Sequence, residues 1–297
     1  MPDLVTDYAA MASALEQSSD YRVLRRLVPR ALSKPPSDSS KIAILIDFET
    51  TGLNTAKDEV IELGMVKFSY SDQGEVTAVL DTFGSFNQPS DSIPPEIVAL
   101  TGITDEMVGG QSIDPDAVSS FVGNSNVVIA HHANFDRKFA ERGWPIFIEK
   151  NWACSAQEVE WRKYGFDGSR LAYLLSRAGF FHDAHRAIDD CQAQLEILAR
   201  PLPKTNTTAL AIMLDRARRP TCRIWAEHSP FDLKDELKKR CYRWNDGSDG
   251  RPKAWFVDVD ESLREEEVIF LRTNIYLHDV DLFTQRITAK DRFSTRV

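Results

Sequence analysis

Three strand-like segments follow one another between residues 42 and 86, and they constrain the fold of this 297-residue chain more than any other feature. Their letters are IAILIDF, EVIELGMVKFSY and EVTAVLDTFGSF, rich in β-branched and aromatic residues and joined by polar turns such as SDQGE. Strands with tight connections pair antiparallel. The sequence therefore predicts a three-stranded antiparallel meander.

Helices and a further strand alternate after the meander. PPEIVALTG and DPDAVSSFVG carry proline near a helix start, NVVIAHH is strand-like, and FDRKFAERG ends at glycine. RLAYLLSRAG and RAIDDCQAQLEILAR have the apolar spacing of amphipathic helices. This order predicts an α/β fold in which helices flank a mixed sheet.

Two polar stretches suggest domain limits. A weak helical pattern over residues 8–31 ends at SKPPSDSSK, and PLPKTNTT separates the helices described above from a region rich in arginine and aromatic residues. We expect a helical arm and linker over 1–40, a main domain over 41–202 and a small α+β accessory domain over 203–297.

Composition narrows the class of protein. With 42% hydrophobic and 27% charged residues the chain can bury a sizeable core, and its net charge of −9 argues against purely electrostatic wrapping of nucleic acid, although not against a local site. The four cysteines are scattered, which disfavours a zinc module or disulfide framework. The N-terminal segment lacks the basic and apolar parts of a signal peptide, and no run is long enough to span a membrane. We expect a cytoplasmic protein.

Two carboxylates follow the first strand. Asp47 and Glu49 are two residues apart, so that their side chains share a face if the strand continues through Phe48. Converging acids repel unless a cation lies between them, and Mg²⁺ or Mn²⁺ suits an all-oxygen site. The alternative is an ordinary pair of solvent-facing acids at a strand end.

Further polar residues follow the same design. Asp136 opens a helix after the strand NVVIAHH, and HDAHRAIDD places His185 five residues before Asp190 on an amphipathic helix. Each has a structural alternative, because Asp caps helices and acids near a helix N-terminus are stabilised by the helix dipole.

Taken together, DFETTGL, AHHANFD and HRAIDD resemble the three motifs of the DEDDh-type 3′-5′ exonucleases, a group that includes the epsilon proofreading subunit of bacterial DNA polymerase III. The resemblance extends to DEVIELGMV and IPPEIVALTGIT. It implies a ribonuclease H-like fold with a mixed five-stranded sheet, which agrees with the predicted order of strands and helices.

The resemblance also implies roles for individual residues. The positions that match the four metal-binding carboxylates of the family are Asp47, Glu49, Asp136 and Asp190. His185 matches the general base, because the family motif has four residues between His and Asp; the same spacing selects Asp190 over Asp189 and His185 over His182. The residues expected to contact substrate are Thr50, Thr51, Gly52, Leu53, His131 and Phe135.

Two divalent cations, Mg²⁺ or Mn²⁺, are the implied cofactors. In such sites a cation lowers the pKa of a bound water, and a neutral imidazole, with an unperturbed pKa of about 6.5, accepts the proton.

The region after residue 203 allows three interpretations. Arginines and lysines between residues 216 and 253 alternate with tryptophan, phenylalanine and tyrosine, a combination that single-strand binders use for phosphates and bases. The aromatic residues are equally suited to a small core with lysines on an outer helix face. Homodimerisation or docking of a partner is the third interpretation.

We expect a metal-dependent 3′-5′ exonuclease that releases nucleoside 5′-monophosphates from single-stranded or frayed DNA ends. A polymerase-associated proofreading subunit and an exoribonuclease would share the site. The alternative from another class is a catalytically silent nucleic-acid-binding scaffold, which the complete set of four acids and His185 argues against.

Overall fold

The structure is a computed structural model that describes residues 7–37 and 40–297. Residues 1–6 of the predicted arm and 38–39 of its linker lie outside the described residues. The α-helices are α1 (Tyr8–Glu16), α2 (Pro95–Thr101), α3 (Asp105–Val108), α4 (Pro115–Val122), α5 (Ala133–Gly143), α6 (Leu171–Arg177), α7 (Ala187–Leu198), α8 (Ala209–Arg218), α9 (Lys234–Lys239) and α10 (Arg264–Phe270). The strands are β1 (Arg25–Arg26), β2 (Lys41–Thr50), β3 (Val60–Tyr70), β4 (Val76–Phe86), β5 (Val127–Ala130), β6 (Trp152–Cys154), β7 (Phe180–Phe181), β8 (Thr221–Ala226), β9 (Arg243–Trp244), β10 (Trp255–Asp260) and β11 (Thr284–Ile287).

Five strands form the main sheet, in the order β4-β3-β2-β5-β6. The first three pair antiparallel, as the sequence predicts, whereas β5 and β6 add parallel to β2. This mixed sheet with flanking helices confirms the ribonuclease H-like fold. None of the helices in the described part of the chain is long and apolar enough to cross a bilayer.

Helices cover both faces of the central strand β2. Alternate side chains of a strand point to opposite faces. Ala43 and Leu45 accordingly pack into a core with residues of α6, α7 and α8, whereas Ile44 and Ile46 pack into a second core with residues of α4 and α5. The face that carries Ala43 and Leu45 is the one on which Asp47 and Glu49 continue.

The N-terminal helix is shorter than the pattern of apolar residues predicts. Helix α1 ends at Glu16 and buries none of its residues, so tertiary packing adds little to its stability. Further along, Arg25 and Leu27 donate their backbone N–H groups to the carbonyls of Gly179 and Phe181, at 2.9 and 2.8 Å. Pairing with β7 therefore replaces a helix in the second half of the arm.

The predicted small α+β unit is present. Its antiparallel sheet has the order β11-β8-β10-β9, and its core joins side chains of the sheet to Leu237 of α9 and Val268 of α10. Helix α8, although it follows the predicted limit at residue 202, packs through Leu210 and Met213 into the core beneath the main sheet. The division into domains stays a prediction.

Many of the cations in this unit are paired. Arg223 and Arg243 both contact Asp258, while Arg240 and the hydroxyl of Tyr242 both donate to Glu267. Trp225 and Tyr242 are buried, whereas Trp244 is 50% exposed. These contacts agree with a structural role for part of the arginine and aromatic pattern; DNA binding and homodimerisation through 203–297 stay predictions.

The last residues return to the main sheet. The carbonyl of Ala289 accepts the N–H of Trp152 on the edge strand β6, at 2.8 Å. The guanidinium of Arg137, fully buried on α5, donates to the carbonyls of Lys290 and Arg292 at 2.6 and 2.7 Å. Residues 288–296, called here the C-terminal tail, therefore fasten the accessory unit to the main sheet.

Candidate active site

Strand β2 presents two acids at its C-terminal end. Asp47 lies opposite Gly64 of β3 and Glu49 lies opposite Glu62, and the register shifts immediately after Glu49. The strand geometry persists through Phe48, so both carboxylates lie on the face towards α7. This arrangement agrees with the predicted convergence of the pair.

A third acid comes from α7. Side-chain oxygens of Asp47, Glu49 and Asp190 lie within 4.8 Å of one another. The helix can approach β3 this closely because of Gly64: a Cβ at that position would lie 2.4 Å from the backbone carbon of Ala187. Because Gly64 has no side chain, the first turn of α7 can approach the two acids of β2.

Asp136 supplies a fourth carboxylate. It lies in the first turn of α5, where it is only 3% exposed, and its negative charge raises the pKa of both Asp47 and Glu49. The structure thus brings all four predicted metal-binding acids into one electrostatic cluster, three of them in mutual ligand distance.

Burial and mutual repulsion make the ionised cluster unfavourable without a cation. Burial is the largest cause that raises the pKa of Asp47 well above its usual range, followed by the charges of Asp136 and Asp190. Burial, followed by the charges of Asp190 and Glu62, raises the pKa of Glu49 to about 8. An all-carboxylate donor set of this charge fits a hard divalent cation such as Mg²⁺ or Mn²⁺.

Glu62 was not predicted as a site residue. It forms an ion pair with an arginine and a hydrogen bond with a backbone N–H group. Its carboxylate accepts from the guanidinium of Arg186 at 3.0 Å and from the backbone N–H of Ala187 at 3.0 Å. It is therefore paired with Arg186 and fastens α7 to β3, while its charge still contributes to the raised pKa of Glu49. An acid within the apolar run EVIELG is the one sequence feature that could have indicated it.

Two histidines surround Asp190. Nε2 of His182, which was not predicted as a site residue, contacts Oδ1 of Asp190 at 2.7 Å. The backbone N–H of His185 donates to Oδ2 of Asp190 at 2.8 Å. His182 thus orients the acid. The side chain of His185 is exposed and lines the cleft above the acids.

The backbone of His185 is strained. Its φ of 64° lies in the left-handed region, which non-glycine residues rarely adopt. Such conformations persist where surrounding contacts hold them, and they concentrate at functional sites. The hydrogen bond to Asp190 is one contact of this kind.

A cleft of about 670 Å³ lies over the acids. Of the residues expected to contact substrate, those that line it are Thr50, Gly52, Leu53, His131 and Phe135. Leu53 is 84% exposed, so its side chain is free to meet a ligand. Thr51 is not part of the lining; its hydroxyl instead accepts the N–H of Glu59 at 2.9 Å.

The absence of a side chain at Gly52 also matters for the packing of its own loop. A Cβ there would lie 2.4 Å from the Asp58 carboxylate, which in turn accepts the N–H of Asn54 at 2.6 Å. The small residue lets this loop fold tightly beside the cleft.

Both ring nitrogens of His131 have protein partners. Nε2 donates to the carbonyl of Ser169 at 2.6 Å, so Nδ1 accepts from the hydroxyl of Ser155 at 2.7 Å. Burial lowers the pKa of His131 to about 4, which keeps the ring neutral. The ring is thereby fixed at the cleft wall, and its contact with substrate stays a prediction.

Three further lining residues of the cleft were not predicted. Ile97 and Leu100 of α2 and Arg170, before α6, line the same cleft. Leu100 is 53% exposed and Arg170 is also exposed. Apolar and cationic groups thus line the same cleft as the acids, and the cleft is large enough for a nucleotide-sized ligand.

Comparison with known proteins agrees with this geometry. Residues 44–198 match the RNase T exonuclease family model. The PolC-type DNA polymerase III of Thermotoga petrophila is 29% identical over 183 residues, which cover 58% of this chain and 13% of that protein. A putative bifunctional exonuclease/endonuclease of Mycobacterium tuberculosis is 34% identical over 172 residues, covering 52% of this chain and 25% of that protein. The chain therefore spans a quarter or less of the length of these relatives.

Among solved structures, the zinc-bound E. coli ExoI–ssDNA complex aligns with a TM-score of 0.50 and 15% identity, covering 75% of this chain and 63% of that chain. At this identity the likeness concerns the fold. With the family match over more than half of the chain and the four acids in place, the chain belongs to the exonuclease family, in its DEDDh-type 3′-5′ group.

Proposed function

We propose that the protein is a metal-dependent 3′-5′ exodeoxyribonuclease that removes nucleoside 5′-monophosphates from single-stranded or frayed 3′ ends. The observation that carries the proposal is the convergence of Asp47, Glu49 and Asp190 within 4.8 Å, with Asp136 beside them, at the floor of a nucleotide-sized cleft. DNA is favoured over RNA because the E. coli ExoI structure named above holds single-stranded DNA.

The chain's residues have distinct tasks in this proposal. Asp47, Glu49, Asp136 and Asp190 would hold two divalent cations, Mg²⁺ or Mn²⁺. When bound, such cations stabilise charge on the attacking and leaving oxygens and lower the pKa of the attacking water. His185, at the cleft mouth, accepts the proton of that water at an imidazole nitrogen. His182 and the backbone of His185 keep Asp190 oriented.

Thr50, Gly52, Leu53, His131 and Phe135 would position the terminal nucleotide, with Leu53 against its base. Similarity to PolC favours a second role, proofreading beside a polymerase, which would use the same site. Action on RNA, homodimerisation and a cytoplasmic location stay predictions.

Cleavage of end-labelled strands tests the proposed activity. Single-stranded DNA with a 5′ label should give a ladder that shortens from the 3′ end with Mg²⁺ or Mn²⁺, and no products with EDTA. RNA of the same sequence should be cleaved more slowly, and a strand with a blocked 3′ end should resist. Internal cuts, or cleavage that persists in EDTA, would contradict the proposal.

Substitution of His185 and substitution of His182 should affect different kinetic parameters. His185→Ala should lower kcat by about 10²–10⁴-fold and remove the acidic limb of the pH–rate profile, because the proton acceptor is lost. His182→Ala, the matched exchange, should instead raise the Mg²⁺ concentration needed for half-maximal rate by about 10–100-fold, because Asp190 loses its orienting partner. If the acidic limb disappears only in His182→Ala, the general base is His182.

A further inference from the structure

A second cleft, of about 490 Å³, lies between the main sheet and the accessory unit. One wall comes from α5 and the segment after β6, and the other from β8, β10 and the C-terminal tail. We call it the basic cleft. It is separate from the four acids and from the residues assigned to the terminal nucleotide.

The lining of the basic cleft carries excess positive charge. Its described residues include six cations, Lys138, Arg216, Arg223, Arg243, Arg251 and Arg292, against three carboxylate side chains, and Asp260, outside the lining, pairs with Arg216. The chain as a whole has a net charge of −9, so this concentration runs against the overall composition. A cleft lined by one sign of charge focuses the field and attracts counter-charged ligands.

The available acids do not neutralise these cations completely. Asp258 is shared between Arg223 and Arg243, with contacts of 2.7 and 2.9 Å. Lys138 takes part in no ion pair among residues 7–37 and 40–297. Arg243 keeps 63% of its side chain exposed, so it can reach a ligand without leaving a buried acid alone.

The two clefts share residues. Asn134, at the start of α5, and Gln157, after β6, line both the basic cleft and the cleft over the acids. Both side chains are exposed amides that can donate to phosphate or base oxygens. A ligand that fills the catalytic cleft can therefore continue over Asn134 and Gln157 into the basic cleft.

We propose that the basic cleft binds the phosphodiester backbone of the substrate strand on the 5′ side of the nucleotide being removed. Of the lining residues within the described part of the chain, only Ile287, Phe293 and Val297 are apolar, which suits phosphates better than stacked bases. This inference rests on the proposed function, because it requires a 3′ end in the catalytic cleft. It assigns the strand path to this cleft and not to the aromatic residues of the accessory unit.

A double variant tests the strand path. In Lys138→Gln/Arg243→Gln, Asp258 keeps its bidentate contact with Arg223, so that the fold should be maintained. The matched control, Lys163→Gln/Lys239→Gln, removes the same charge at exposed positions that line neither cleft. Each protein is assayed on a 20-nucleotide single strand and on the p-nitrophenyl ester of thymidine 5′-monophosphate, which fits in the catalytic cleft alone.

The double variant should lose about tenfold in kcat/KM on the 20-mer and nothing on the small ester. Its log–log salt dependence of 20-mer binding, measured in EDTA, should be shallower by about 1.4, as expected for two lost contacts to single-strand phosphates. The control should match wild type in both respects. Equal kcat/KM of double variant and control on the 20-mer would overturn the strand path while the proposed activity stands. If wild-type protein hydrolyses neither substrate, the proposed function itself is wrong.

Discussion

Replacing Asp47 by Asn should reduce exonuclease turnover by about 10³-fold or more. The side chain lies within ligand distance of Glu49 and Asp190, so the exchange removes one negative charge from the cation site. Metal ions contribute several kcal/mol of transition-state stabilisation, and each 1.36 kcal/mol corresponds to tenfold in rate. Release of labelled mononucleotide in Mg²⁺, followed over hours, measures the effect.

The same exchange should raise the stability of the metal-free protein. The folded-state pKa of Glu49 is about 8, and that of Asp47 is also raised, whereas unfolded carboxyls titrate near 4. Between these values the folded state holds protons that the unfolded state has released, so the metal-free protein loses stability as pH rises from about 4 to 8. Asp47→Asn removes part of the repulsion and should increase Tm in EDTA, more at pH 8 than at pH 5.

Asp189→Asn is the matched control, since Asp189 precedes Asp190 on the same helix but lies outside the ligand group. It should retain near-wild-type turnover. Loss of activity in Asp189→Asn with normal activity in Asp47→Asn would overturn the assignment of the cation site. A lower Tm for Asp47→Asn in EDTA would contradict the electrostatic argument separately.

Exchange of Arg137 for Met should lower the free energy of unfolding by about 1–3 kcal/mol, the cost of leaving a buried polar group without its partner, because Glu141 keeps its ion pair with Arg296. Its guanidinium is fully buried and contacts Glu141 at 2.7 Å in addition to the tail carbonyls. Met fills similar space but leaves the carbonyl of Arg292 without its donor, whereas the carbonyl of Lys290 still accepts from Arg296. Urea denaturation with and without EDTA measures the change.

Detachment of the C-terminal tail should accompany this loss. Trypsin should cut Arg137→Met after Lys290 or Arg292 under conditions in which wild-type protein resists. Arg162→Met, the same exchange at an exposed arginine, should change stability by no more than about 0.5 kcal/mol. Comparable stability of the two variants would show that the buried contacts of Arg137 do not hold the tail.

Local patterns in the sequence predicted the three antiparallel strands, β5 and the pairing of Asp47 with Glu49, whereas the five-stranded sheet and the complete set of four acids were implied by the resemblance to the exonuclease family. The two-residue spacing of Asp47 and Glu49 along β2 places them on one face, and the order of motifs adds Asp136 and Asp190. Strand formation and the face to which a side chain points depend on residues that are close in the sequence, so the order of amino acids is enough to predict them.

Contacts between distant segments were not predictable in this way. His182 and Asp190 meet through a loop conformation that includes the strained His185, and Glu62 meets Arg186 across 124 positions. Arg137 reaches carbonyls more than 150 positions away. Any arginine on an amphipathic helix looks like a surface residue until the segment that covers it is known.

Gly64 has a consequence for the way in which the site responds to its cations. Because backbone atoms of α7 rest where a side chain would otherwise stand, the gap between Asp47 and Asp190 is set by the rigid framework and not by the preferences of the carboxylates. The acids are held together before any ion arrives, so binding needs little reorganisation. We then expect the site to select between cations by how well their radius matches the fixed distance between the carboxylates.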